Sequence, residues 1–198
     1  MSLKPFFVAG VLAGLLQLAL LVHFAAPIAE KLHDELVAGE VEEYATWAQV
    51  LAAAVAGGLW GVVLAFFASR LGIAAGTALC FVGFSLLPLL KWLPTPHGVS
   101  YAEPVEWREA VHGLYMLYNG VVLWLIATRR TAHWALAGAA ALVAGFYAFP
   151  GFTLPQTYLP YVPELKALQG IALFSWAVYW ATTAGVVNLL SPVKRVWR

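Results

Sequence analysis

Two sets of side chains in this sequence could do chemistry. The first is His23, Glu30 and Asp34, at i, i+7 and i+11, with Pro27 between them at i+4. At about 100° per residue these positions share one face if a helix runs through them, although Pro27 lacks a backbone donor and can bend it. An imidazole with carboxylates is a borderline ligand set suited to divalent cobalt, nickel or zinc. The blander alternative is a solvated helix end, with Glu30, His33 and Asp34 in water and His23 packed at an interface. The second set is Arg108, His112, Tyr115 and Asn119, again at i, i+4, i+7 and i+11. It is either the polar lining of a site or a structural zipper between helices. His112 joins His23, Glu30 and Asp34 as a candidate metal ligand. His97, just after Pro94 and Pro96, is a candidate doorway ligand or simply an exposed loop histidine.

Other chemistry is missing. There is no Gly-rich phosphate loop, no G-x-S-x-G elbow and no H-E-x-x-H pair. The single cysteine, Cys80, sits in an apolar run and reads as a small packed residue. The sequence therefore predicts no enzyme and no permanently bound cofactor.

The elements that must position these residues follow from composition. The chain has 198 residues, 62% of them hydrophobic and only 11% charged, with a mean hydropathy of +0.80. A soluble domain carries about a quarter charged residues. Half that number cannot coat a globule in water, but it suits helices in lipid, whose backbones are satisfied internally. A net charge of +1 leaves no basic field for nucleic acid.

About 20 apolar residues cross one hydrocarbon core. On that measure the chain is an all-α integral membrane protein, a single transmembrane domain over 1–198. It is a bundle of about six helices near 5–29, 44–69, 71–93, 110–128, 132–149 and 167–190. The span at 132–149 is Ala/Gly-rich and stops early at Pro150. The first apolar run is too long for a cleaved signal and is expected to stay as a helix.

With the N-terminus in the cytoplasm, Lys4, Arg70, Arg129, Arg130, Lys194, Arg195 and Arg198 fall inside. Lys31, Lys91, Arg108 and Lys166 fall outside. Seven against four obeys the positive-inside rule, and all ten carboxylates fall on the outer side. Both termini are therefore expected in the cytoplasm, in a multi-pass protein of the cell membrane. Gly10 with Gly14, Gly57 with Gly61 and Gly72 with Gly76 have the spacing that lets helices approach closely. Gln17, Gln49, Gln169, Thr182, Thr183 and Asn188 are expected to hydrogen-bond between helices.

Two stretches resemble a known family, the predicted cobalt transporter proteins of the CbtA type. The first is Ala9-Gly10, Ala13-Gly14-Leu15, then Pro27-Ile28-Ala29-Glu30. The second is Gly83-Phe84, Leu87-Pro88, Leu90-Lys91, Pro94, Pro96 and, after a short loop, Arg108. The resemblance touches about half the chain. It implies uptake of cobalt, linked to cobalamin biosynthesis, beside a very small membrane partner with a histidine-rich end. It supplies no metal ligand set.

Three functions compete. The leading one is a transporter, or transporter subunit, for a divalent transition-metal ion, cobalt or nickel. Glu30, Asp34, Glu35, Glu40, Glu42 and Glu43 would concentrate cations at an outer mouth above His23 and His112. The second is a non-transporting scaffold subunit of a larger respiratory-type membrane complex. The third is a haem- or quinone-binding membrane protein, with His23 and His112 as axial ligands in the haem case.

Overall fold

The computed structural model describes residues 2–36, 46–96, 99–129 and 131–190. Among them the protein is an all-α membrane bundle. In chain order the elements are α1 (Lys4–Phe24), α2 (Ala26–Leu36), α3 (Thr46–Leu71) and α4 (Ile73–Phe81). A π-helical turn (Val82–Leu86), α5 (Leu87–Lys91), α6 (Val105–Arg129) and α7 (Ala132–Ala148) follow. A 3₁₀ turn (Gln156–Tyr161) leads into α8 (Val162–Leu190).

Among the described residues five stretches are long and apolar enough to cross a membrane: Lys4–Phe24, Thr46–Leu71, Ile73–Lys91, Val105–Arg129 and Gln156–Leu190. The sixth expected span is α7, which has only 17 residues. The basic tail with Lys194, Arg195 and Arg198 lies outside the described residues, as do Arg130 and the acidic Glu40, Glu42 and Glu43.

The glycine spacing builds the tightest contact. A Cβ on Gly10 would fall on the Gly57 carbonyl, and one on Gly61 on the Phe6 carbonyl. As the numbers rise along α1 they fall along α3, so the two helices are antiparallel with backbones in contact. Gly76 lies against Ala68 in the same way, where a Cβ would stand 2.8 Å from the Ala68 nitrogen. Gly72 has a different job from its expected packing role. It holds φ +83° at the start of α4, the left-handed conformation that turns the chain sharply between two spans.

Hydrogen bonds order the remaining helices. Tyr179 on α8 donates to the Gly57 carbonyl at 2.7 Å, and Trp180 donates through Nε1 to Ser85 Oγ at 2.8 Å. Gln17 reaches Ser175 Oγ at 3.4 Å, and Gln169 donates to the Leu89 carbonyl. Thr183 does not bridge helices as expected; its hydroxyl donates at 2.9 Å to Tyr179 of its own helix. That bond is open to any helical threonine whose side chain reaches back one turn.

The structure changes the ends of several spans. The first span breaks at Ala25, and α2 carries the helix on to Leu36. Pro27 explains the break, because it has no N–H for the carbonyl of residue 23. The helices expected at 110–128 and 167–190 begin earlier, at Val105 and Val162. Trp107 at the start of α6 and Trp47 on α3 are exposed, as interfacial belts require.

Candidate functional site

The π-helical turn organises the site. Leu87 N–H bonds the Val82 carbonyl, five residues back. In that register residue 88 would bond the Gly83 carbonyl, but Pro88 has no N–H. Asn119 of α6 supplies the missing donor, its Nδ2 reaching Gly83 O at 2.8 Å. Gly83 itself must be small, since a Cβ there would stand 2.5 Å from Leu123 Cδ1. So the Gly83-Phe84 and Pro88 positions fix how the third span meets α6.

Tyr115 and Asn119 are completely buried, so the inner half of the stripe faces the interior, whereas Arg108 is half-buried and His112 is exposed. Above them Trp92 anchors an aromatic cluster. Its ring stacks on Phe152 at 5.0 Å and meets Tyr115 edge-on at 5.2 Å and His112 at 5.4 Å. Trp92 Nε1 donates to the Pro150 carbonyl at 3.3 Å. Two loops cross above this cluster. Ala102 N–H bonds Thr153 O at 2.9 Å, and Thr153 N–H bonds both oxygens of Glu103, at 2.9 and 3.0 Å. Tyr101 donates to Leu93 O at 2.8 Å, and burial pushes its phenol up, so it remains a neutral donor.

Three cavities lie in sequence. The first, about 400 Å³, opens at the loop end and is lined by Trp92, Tyr101, Arg108, Glu109, His112 and Phe152, among others. The second, about 380 Å³, shares Trp92 and His112 with it and continues past Ser85 and Met116 to Trp60 and Trp176. The third, about 360 Å³, shares Trp60 and Trp176 and ends among Gly14, Gln17 and Tyr179. His112 and Trp92 thus form the partition between the first two, and a pair of tryptophans the partition between the second and third.

The other expected ligands lie elsewhere. His23 is exposed at the end of α1, edge-on to Phe24 at 4.6 Å. Glu30 and Asp34 are exposed on α2. The buried face of α2 is the opposite one: Leu32 is 0% and His33 7% exposed. Leu32 packs with Val99, Leu165 and Leu168. Lys31 ties the outer face to α8, bonding Glu164 at 3.3 Å. Among the described residues no three His, Cys, Asp or Glu side chains gather closely enough to hold a metal ion. His23, Glu30, Asp34 and His112 therefore do not form a ligand set. Hydrated carboxylates keep the Glu30 and Asp34 face turned outward while Leu32 drives the other inward. His97 lies outside the described residues.

Arg108 makes one side-chain hydrogen bond among the described residues, from Nη2 to Ser100 Oγ at 3.0 Å. A partner for it in the acidic loop above the first span would have to come from residues 37–45, which lie outside the described residues. No described carboxylate forms an ion pair with Arg108.

Met116 does not stand out in the sequence, because a methionine in an apolar run looks like core. Its place one turn beyond His112 is the available signal: i and i+4 on one face put a thioether beside the imidazole in the second cavity. Compared with known proteins, the chain matches no family model, no curated protein and no solved structure.

Proposed function

We propose that the chain is a transporter, or the membrane subunit of one, for a divalent transition-metal ion, cobalt or nickel. The observation that supports this reading is a row of three open clefts, each sharing lining residues with the next, from the loop end to Gly14, Gln17 and Tyr179. The residues of the second family-like stretch sit on that path. Phe84, Pro88 and Pro94 line the second cavity, and Arg108 lines the first. A transported ion needs contacts weak enough to leave, so a pair of donors is a better stepping stone than a closed ligand cage. His112 and Met116 are such a pair, an imidazole and a thioether on one wall. On the orientation given by the basic residues, the ion enters from the outer side and moves toward the cytoplasm.

The test is initial cobalt and nickel uptake into proteoliposomes holding the wild type, His112→Ala or Met116→Leu. Losing a contact of about 1.4 kcal/mol lowers uptake about tenfold. Wild-type uptake no faster than that of empty liposomes would end this reading.

A second reading rests on the aromatic walls. Trp60, Phe84, Trp92 and Trp176 surround the second cavity, a lining suited to a flat apolar ring such as a quinone. On that reading the chain is a non-transporting member of a larger membrane complex. Solvent extraction of the purified protein separates the two: stoichiometric quinone with no metal uptake favours the non-transporting role.

A further inference from the structure

The geometry points to a binding site for an aminophospholipid headgroup in the loop-end cavity, with its phosphate on Arg108 and its ammonium on Glu109. This inference does not rest on the transport reading, but it takes the same cavity as that reading's outer mouth, so a headgroup bound there would compete with ion entry.

The charge of Arg108 is the first argument. A guanidinium offers five N–H donors, yet among the described residues Arg108 donates one side-chain hydrogen bond, to the neutral Ser100 hydroxyl. Its Nε is buried with no partner. Glu103 senses the Arg108 charge but among the described residues forms no ion pair with it; its two oxygens share the single Thr153 N–H. A cation on an apolar wall is costly unless an anion meets it. A phosphodiester matches the guanidinium fork and leaves Ser100 in place.

The second argument is Glu109. It lines the same cavity and is the next residue on the helix. A purely anionic ligand would meet its carboxylate with repulsion. A headgroup bearing phosphate and ammonium satisfies both residues.

Position selects a lipid over a soluble zwitterion. Arg108 and Glu109 stand in the first turns of a membrane-spanning helix, beside the exposed Trp107. Headgroups lie at that level. The rest of the cavity wall is apolar, with Val105, Trp92 and Phe152, so glycerol and the first acyl carbons have a surface to pack on.

The full-length protein in detergent can be titrated with phosphatidylethanolamine and with phosphatidylglycerol, bound lipid being read by native mass spectrometry. The wild type is expected to prefer the amine headgroup. Arg108→Gln lowers occupancy about tenfold for both lipids. Glu109→Gln removes the preference and leaves phosphatidylglycerol binding equal or stronger. Arg108→Lys guards against misfolding; it keeps the charge but loses the fork and gives intermediate occupancy. Glycerophosphoethanolamine, which has no acyl chains, is the competitor. Equal occupancy in wild type and Arg108→Gln overturns the site. Full displacement by the chain-free competitor overturns the lipid as occupant.

Discussion

Asn119 stands 2.8 Å from the Gly83 carbonyl and makes the bond that Pro88 cannot. The pairing lies wholly inside the bundle, where no water substitutes for a lost partner. Asn119→Leu should therefore destabilise the protein by about 1 kcal/mol, between the average for polar contacts within membranes and the cost of an orphaned buried carbonyl. Pro88→Ala restores an N–H at position 88. The double variant Pro88→Ala/Asn119→Leu should melt above Asn119→Leu alone, and thermal unfolding in detergent reads the difference.

The contact between α1 and α3 gives a contrast between glycines. Gly57→Leu must push two backbones apart, because a Cβ at 57 already falls on the Gly10 carbonyl. A loss of about 3 kcal/mol or failure to fold is expected. Gly185→Ala meets open space on α8 and should stabilise the helix by about 0.5–1 kcal/mol. Melting temperatures of the two variants should shift in opposite directions.

How far these features can be read from the chain alone differs from residue to residue. Long apolar runs mark the spans because lipid leaves a chain few alternatives to helix. The paired glycines on α1 and α3 are visible for the same reason. The extension of the first span through α2 is hidden, because Glu30, Lys31, Asp34 and Glu35 resemble a loop. Yet Ile28, Leu32 and Leu36 recur every fourth residue, the trace of a helix with one buried face. Spacing shows that His23, Glu30 and Asp34 can share a face; it carries no information on which way that face turns. The bond between Asn119 and Gly83 spans 36 residues, and nothing local announces it.

The clamp between the loops should respond to pH. Desolvation pulls the Glu103 carboxyl upward, but the Thr153 bonds, its own backbone N–H and Arg108 outweigh it and hold it below the usual carboxylate range. A depressed pKa means that the clamp is fully present above the unfolded value, about 4.3, and is lost as pH falls through the lower folded value. Hydrogen exchange at the Thr153 amide, corrected for its intrinsic rate, should lose protection over that acid range. In Glu103→Gln the protection should be weaker and flat with pH.

Lys91 should matter to α7. Its Nζ donates to the Phe146 carbonyl, one of the last carbonyls of that helix, and lies over the Phe146 ring at 5.1 Å. A cation at a helix C-terminus contributes about 0.3–1 kcal/mol, and more when partly buried. Lys91→Met should speed hydrogen exchange in the last turn of α7 while α1 and α3 keep their protection.

The shortness of α7 has a consequence for the lipid around the protein. Its 17 residues rise about 26 Å at 1.5 Å each, against a hydrocarbon thickness of about 30 Å. Were α7 to cross as the sixth span, the bilayer on that one flank would thin by a few ångströms to meet the helix ends, while beside α3 and α8 it need not. Such a crossing would give the protein a lopsided mismatch. Thin bilayers would relieve it, and thick, sterol-like ones would penalise it on a single side.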